Sequence, residues 1–247
     1  MISRVVIFLS LAGCILFSYF FVYFPARDNA QVILVKSSYE LQSGTQLSYF
    51  LQTYKPKNKK ERFPLLVVMY AVGFDVDQTL AAWRKDARDH QMMLLVPDQT
   101  HPDAEKYYGA KAYIHLIEEL VKKYPIDRRN IYLLGISKGA LIGERMIQSN
   151  SDLFRGGILA ANPDTDLWKV KKNQEGARYP SLLLIHGGAD YQYPIQLVRR
   201  KVSDLIEKEV DVRLLEIPDA KHEYRRSWNS VILRWIELER EIQKSYS

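Results

Sequence analysis

Short apolar runs alternate with segments of helical periodicity along most of the chain. Continuous apolar runs predict strands that are covered on both faces, and they lie at residues 65–71, 92–96, 131–134, 157–161, 182–185 and 212–217. Apolar positions at helical spacing predict helices at residues 77–90, 110–124, 138–148, 195–209 and 228–236. Two further segments, 31–36 and 47–54, flank Ser43-Gly44 and predict a hairpin. The repeated strand–helix units predict an α/β fold, a three-layer α/β/α sandwich around a mostly parallel sheet.

The apolar run nearest the N-terminus, Val5–Phe24, differs from the others because it holds 20 residues without a charge. As a helix it spans about 30 Å, the thickness of the hydrocarbon core of a bilayer. We therefore expect a transmembrane signal anchor at residues 1–24, a linker at 25–30 and one α/β domain at 31–247. A cleaved signal peptide and a buried core helix are the alternatives. Arg4 before the run predicts that the domain lies outside the cytoplasm, in the periplasm or at the cell surface.

The only cysteine lies inside this run. Leu11-Ala12-Gly13-Cys14 resembles the lipobox of bacterial lipoproteins, in which the cysteine is lipidated and becomes the mature N-terminus. The apolar run continues for ten residues after Cys14, which favours the anchor. Either arrangement predicts a domain attached to a membrane.

Composition narrows the classes of function. The 247 residues are 47% apolar and 26% charged, as in an ordinary globular domain. Thirty-five basic residues against 29 acidic ones give a net charge of +6, but no helix stacks Lys and Arg on one face, so nucleic acid is not an expected partner. One cysteine excludes a disulfide framework and a cysteine-based zinc site. Without a phosphate loop, a dinucleotide fingerprint or a cluster of metal ligands, we expect no cofactor and no metal.

The segment Gly135-Ile136-Ser137-Lys138-Gly139 has the pattern G-x-S-x-G of a nucleophile elbow. An apolar strand precedes it and a helix follows it, which is the context that the pattern requires. The glycines allow the strand and the helix to approach closely, and the turn exposes the serine hydroxyl. Ser137 is therefore the candidate nucleophile, and a glycine-rich turn with a passive serine is the alternative.

A serine hydroxyl needs a base, and the base needs an acid that orients it. In this kind of fold the acid and the histidine follow the serine along the chain. His222 is the histidine beyond the last predicted strand, and Asp190 follows the strand at 182–185. Asp164 and Asp166, after the strand at 157–161, are the rival acids. His186 ends a strand, and we assign it a structural role.

The chain resembles the α/β-hydrolase superfamily of serine hydrolases over about residues 31 to 244. The segment from Asp127 to Gly139 resembles the elbow of small bacterial esterases of the feruloyl-esterase and polyhydroxybutyrate-depolymerase type, and of prolyl-oligopeptidase catalytic domains. His186-Gly-Gly-Ala-Asp190 resembles their acid loop. The resemblance implies a catalytic triad of Ser137, Asp190 and His222. The 18 residues from 162 to 179, between the strands at 157–161 and 182–185, are too few for a cap domain, so we expect none.

One loop departs from the family pattern. The family carries His-Gly-x-Gly after the third strand, where this chain has Tyr70-Ala71-Val72-Gly73-Phe74. Because backbone N–H groups do not depend on the side chain, we expect Val72 and Lys138 to form the oxyanion hole. The Tyr70 hydroxyl is an alternative donor. Aromatic residues near the site, expected to contact substrate, are Trp168, Tyr191 and Tyr193.

These residues predict a carboxylesterase-like serine hydrolase that acts on a small-molecule or polymeric ester through an acyl-enzyme. A peptidase and an acyltransferase use the same triad and stay open as alternatives. Because the His-Gly loop of the family is missing, a third alternative is not an enzyme. It is a membrane-tethered binding protein built on an inactive hydrolase scaffold.

Overall fold

The computed structural model describes residues 31–41, 44, 46–100, 109–162 and 179–245. Within these residues the strands are β1 Val32–Glu40, β2 Gln46–Tyr54, β3 Phe63–Met69, β4 Met93–Pro97, β5 Ile126–Ile136, β6 Gly156–Ala160, β7 Ser181–Gly187 and β8 Val212–Ile217. The helices are α1 Val76–Asp89, α2 Gly109–Lys123, α3 Lys138–Ser149, α4 Ile195–Glu207 and α5 Asn229–Ser245. Short 3-10 turns occur at Ser151–Leu153 and Arg226–Trp228.

The described strands form one eight-stranded sheet in the order β1-β2-β4-β3-β5-β6-β7-β8. Strand β2 runs antiparallel to both of its neighbours, and the strands from β3 to β8 are parallel to one another. The predicted hairpin and the predicted mostly parallel sheet are confirmed. Because the carboxyl ends of parallel strands meet at one edge of a sheet, the loops after β5, β7 and β8 lie near one another.

The sheet separates two apolar clusters, which explains why its central strands are apolar on both faces. On one face, α2, α3 and α4 contribute residues such as Ile117, Met146 and Leu205. On the other face, α1 and α5 contribute residues such as Trp83 and Trp235. The arrangement is therefore the predicted α/β/α sandwich, and the described residues include no cap domain.

A buried ion pair connects α3, the helix that follows Ser137, to α4. Lys201 Nζ lies 2.9 Å from a carboxylate oxygen of Glu144, and both side chains are almost fully buried. Asn162, just after β6, donates to the same carboxylate at 2.7 Å. Since an isolated buried charge costs several kcal/mol, these groups must stay together, and they fix α3 against the carboxyl end of β6.

One strand begins earlier than the sequence predicts, and the prediction for the N-terminus is not tested by the structure. Strand β5 begins at Ile126, five positions before the predicted start. The sequence did not indicate the earlier start, because residues 127–130 are all polar and show no apolar pattern. The predicted anchor at residues 1–24 and the linker at 25–30 lie outside the described residues. Among the residues that are described, no helix is long and apolar enough to cross a membrane.

Candidate active site

Ser137 lies at a sharp turn between β5 and α3. Its backbone has φ 50° and ψ −117°, a conformation that a residue with a side chain rarely adopts. The Ser137 N–H donates to the carbonyl of Ala160 at the end of β6, 2.9 Å away, which holds the turn against the sheet. Such backbone strain costs about 1–3 kcal/mol and persists only where surrounding structure enforces it.

The two glycines that flank Ser137 are required by close backbone contacts. A Cβ at Gly139 would lie 2.1 Å from the carbonyl oxygen of Met69, at the end of β3. A Cβ at Gly135 would lie 2.5 Å from Cα of Ala140. Both glycines of the G-x-S-x-G pattern are therefore explained by packing, because any side chain would force the strand and the helix apart.

Three side chains from three loops form one continuous chain of hydrogen bonds. Ser137 Oγ lies 2.9 Å from His222 Nε2, and His222 Nδ1 lies 2.8 Å from Asp190 Oδ2. Because a carboxylate only accepts hydrogen bonds, the proton is on Nδ1, which donates to Asp190. Nε2 is then free to accept from the Ser137 hydroxyl. The imidazole is in the tautomer that can remove a proton from the serine.

Asp190 is held as a carboxylate by the loop that carries it. Its Oδ1 accepts the N–H groups of Gln192 and Tyr193 at 2.9 and 3.0 Å. Burial by itself would raise the pKa of the Asp190 carboxyl, but the Tyr193 N–H and the His222 imidazole outweigh burial and hold the pKa below its usual value. Asp190 therefore keeps its negative charge beside His222 at neutral pH.

The loops that carry the acid and the histidine are packed directly against each other. A Cβ at Gly187, the last residue of β7, would lie 2.3 Å from the carbonyl oxygen of Ala220. The Ala189 N–H donates to that same carbonyl at 3.0 Å. This contact brings the loop after β8 to the loop after β7, so it sets the distance between His222 and Asp190.

His186 supports the acid loop from below. It is 1% exposed, and its Nε2 donates to the backbone carbonyl of Tyr193 at 2.7 Å. The same nitrogen lies 3.4 Å from Asp190 Oδ2. Its Nδ1 is buried without a hydrogen-bond partner among the described residues, whereas Nε2 faces a carbonyl oxygen and therefore carries a proton. These contacts indicate how His186 could play the structural role expected for it, which is to hold the loop that orients Asp190.

We expect His186→Leu to lower kcat for ester hydrolysis about 10- to 100-fold with little change in KM. The buried Tyr193 carbonyl would lose its donor, a loss that costs about 1–3 kcal/mol, and the acid loop would shift from His222. His186→Gln, whose amide places an N–H near the position of Nε2, should recover most of the activity. Steady-state kinetics of both variants checks this, and equal losses in both would contradict it.

Of the residues expected to form the oxyanion hole, Lys138 directly follows Ser137 and Val72 lines the cavity beside it. Helix α3 begins at Lys138, so its first N–H groups have no acceptor within the helix. Val72 lines the cavity beside Ser137 and is 73% exposed. The Tyr70 hydroxyl instead donates to Asp98 at 3.3 Å and accepts the Gln99 N–H at 2.6 Å. Because its proton is engaged by Asp98, this structure does not support Tyr70 as a donor to an oxyanion.

Of the three residues expected to contact substrate, one lies against His222, one is exposed at the surface and one lies outside the described residues. Tyr193 packs its ring against His222, with ring centroids 5.2 Å apart. Tyr191 is 77% exposed, and neither tyrosine is among the residues that line the cavity beside Ser137. Trp168 and the rival acids Asp164 and Asp166 lie outside the described residues.

Within the described part of the chain, no group of three or more His, Cys, Asp or Glu side chains is arranged to hold a metal ion.

A cavity of about 190 Å³ opens beside Ser137. Its walls come from the loop after β3, from α1, from the elbow and from the loop of His222, and they include Val72, Phe74, Ala82, Trp83, Ile136 and Tyr224. The α1 residues were predicted only as part of a helix, because periodicity shows that a face is apolar but not what that face covers. A mostly apolar chamber therefore lies next to the hydrogen-bonded chain of Ser137, His222 and Asp190.

The family model described as the prolyl oligopeptidase family matches residues 165–240, which is less than half of the chain. The matched segment contains Asp190 and His222, and it begins after the serine elbow. No curated protein matches the chain.

Several solved structures are similar. The S-formylglutathione hydrolase of Staphylococcus aureus has a TM-score of 0.68 at 13% identity, over 85% of this chain and 97% of that one. A thermostable esterase has a TM-score of 0.63 at 21% identity, over 82% and 62%. Oligopeptidase B of Leishmania major has a TM-score of 0.64 at 12% identity, over 83% of this chain but only 36% of that protein. This similarity establishes the α/β-hydrolase fold.

Proposed function

We propose that the protein is a serine hydrolase that cleaves carboxylic esters through an acyl-enzyme. The observation that carries the proposal is the unbroken hydrogen-bond chain from Ser137 through His222 to Asp190, at 2.9 and 2.8 Å. These distances lie within the range that a nucleophile, a base and its orienting acid require. The similar structures include hydrolases and esterases, which agrees with the proposal.

In the proposed mechanism, Ser137 Oγ attacks the ester carbonyl while His222 Nε2 takes its proton. The carbonyl oxygen becomes an oxyanion, for which we assign the N–H groups of Lys138 and Val72 as donors. The carbon–oxygen bond of the ester then breaks, and the His222 proton goes to the departing alkoxide. Water repeats these steps on the acyl-enzyme and releases the acid. Asp190 stabilises the imidazolium that forms in both halves and stays ionised throughout.

A peptidase is the second candidate, because the matching family model describes oligopeptidases. The same triad attacks amides, but an amide needs a better-placed proton for a poorer leaving group. The similar oligopeptidase is much longer than this chain, which covers 36% of it. The choice between ester and amide therefore depends on the substrate contacts and not on the triad.

The distinguishing experiment compares the full chain on p-nitrophenyl butyrate and on a panel of peptide p-nitroanilides, including one with proline next to the scissile bond. We expect ester hydrolysis to exceed anilide hydrolysis by at least about 10³ in kcat/KM, a difference of roughly 4 kcal/mol in transition-state stabilisation. Comparable rates on a peptide anilide would establish the peptidase instead. Absence of hydrolysis of every substrate would contradict both activities.

A further inference from the structure

The hydroxyl groups of three side chains that line the cavity beside Ser137 are hydrogen-bonded within the protein. The Tyr70 hydroxyl donates to an aspartate carboxylate at 3.3 Å, and Thr79 Oγ1 donates to a backbone carbonyl at 2.7 Å. The Tyr224 hydroxyl donates to an asparagine side chain at 2.7 Å. These residues therefore present rings and a methyl group to the cavity, next to Phe74, Ala82 and Trp83. Apart from Gln78, Glu223 and the catalytic groups, the side chains that line the cavity present apolar surface to it.

The charged side chains around the cavity also favour an uncharged ligand. Apart from the catalytic His222, Glu223 is the one acidic or basic side chain among the described residues that line the cavity. Its carboxylate accepts from the Arg225 guanidinium at 2.7 Å and from the Lys221 N–H at 3.1 Å, and these bonds lower the pKa of Glu223. An anionic ligand would meet a carboxylate and no lysine or arginine, whereas a cationic ligand would have to compete with Arg225. An uncharged group fits the cavity best.

The two parts of an ester make different demands on the site. The alcohol must leave after the first half of the reaction so that water can approach His222. The acyl group stays bonded to Ser137 through both halves. The cavity is lined by Ser137 itself and by Trp83, which is 1% exposed, so it suits the group that stays bonded to Ser137 and not one that must depart.

We propose that this cavity is the acyl-binding pocket and that it selects uncharged, apolar acyl groups of about four to six carbons. The inference rests on the proposed hydrolase function and specifies its substrate class. A volume of about 190 Å³ holds roughly six groups of the size of water, at about 30 Å³ each. Each methylene that the pocket buries should raise kcat/KM about fourfold, until the pocket is full.

The test varies the acyl chain at a constant leaving group. For the wild type we expect kcat/KM for p-nitrophenyl butyrate to exceed that for the acetate by about 15-fold. The hemisuccinate ester, which carries a carboxylate at the end of its chain, should be at least about tenfold poorer than the pentanoate. Ala82→Leu should fill the pocket and reduce the preference for butyrate over acetate to below about threefold. Ala81→Leu, on the exposed neighbouring position of α1, is the matched control and should keep the wild-type profile.

The outcomes separate this inference from the proposed function. A wild type that hydrolyses acetate, butyrate and hemisuccinate equally would overturn the pocket assignment and leave the hydrolase standing. So would an Ala82→Leu variant with an unchanged chain-length profile. Failure to hydrolyse any of the esters, acetate included, would count against the hydrolase itself.

Discussion

Ser137→Ala is expected to reduce kcat for ester hydrolysis by about 10⁶-fold, the largest effect of any single substitution in this protein. Alanine removes the atom that forms the covalent bond, and no other hydroxyl lies within hydrogen-bond distance of His222 Nε2 in the described residues. The fold should be retained, because alanine at φ 50° has the same backbone strain as serine. Steady-state hydrolysis of p-nitrophenyl butyrate measures the effect.

Ser149→Ala is the matched control for this substitution. Ser149 lies at the other end of α3, is exposed, and donates only to the carbonyl of Arg145 four residues earlier. Its removal should leave kcat and KM unchanged. If Ser137→Ala kept more than about a hundredth of the wild-type kcat, another residue would have to be the nucleophile.

Asp190→Asn is expected to lower kcat by about 10⁴-fold with little change in KM. The substituted side chain must keep its amide oxygen toward the N–H groups of Gln192 and Tyr193, since its amide nitrogen cannot accept from them. The amide NH₂ would then face His222 Nδ1 and force the imidazole proton onto Nε2. In that tautomer His222 donates to Ser137 and cannot act as its base.

The variant also has a pH signature. The pKa of Asp190 lies below the 3.8 of a free aspartate, so its carboxylate stabilises the fold above that pH and the stabilisation is lost as the pH falls through the folded-state pKa. The wild-type free energy of unfolding should therefore fall more steeply with acid than that of Asp190→Asn. Urea unfolding at several pH values measures it, with Asp204→Asn on the exposed face of α4 as control. Equal kcat values for Asp190→Asn and wild type would show that another acid orients His222.

The serine was predictable because its signal is local. The pattern around Ser137 needs only five neighbouring residues, and its glycines are explained by contacts with Met69 and Ala140 that any such elbow must make. His222 was predictable from its position after the last strand. The sheet was predictable for the same reason, because β3 to β8 carry apolar residues on both faces and helices separate most of them.

Other features of the site depend on contacts that no local pattern contains. Asp190 could not be separated from Asp164 and Asp166 by sequence, since the choice depends on which loop packs against the loop of His222. In the described residues, the contact between Gly187 and the Ala220 carbonyl brings the loop of Asp190 against the loop of His222, which supports Asp190 as the proposed acid. The hydrogen bond that His186 makes was not predictable either. Its acceptor is a backbone carbonyl, which every residue has, so no residue type in the sequence indicates it.

The oxyanion loop and the cavity were the least predictable parts. Tyr70 has a hydroxyl at the end of β3, but only the fold shows that Asp98 and the Gln99 N–H already engage it. Ala82 is one of three alanines in α1, and nothing in the sequence pattern distinguishes it from the other two. In the fold, its missing volume is part of the space beside Ser137.

The central claim is that Ser137 is a nucleophile activated by His222, and covalent labelling tests it most directly. The full chain is treated with a fluorophosphonate probe, which loses fluoride when a serine oxygen attacks its phosphorus, and the modified peptide is sequenced by mass spectrometry. We expect stoichiometric labelling on Ser137, no labelling of Ser137→Ala, and labelling of Asp190→Asn slowed by about 10³ to 10⁴. An unlabelled wild type, or a label on any other serine, would contradict the account.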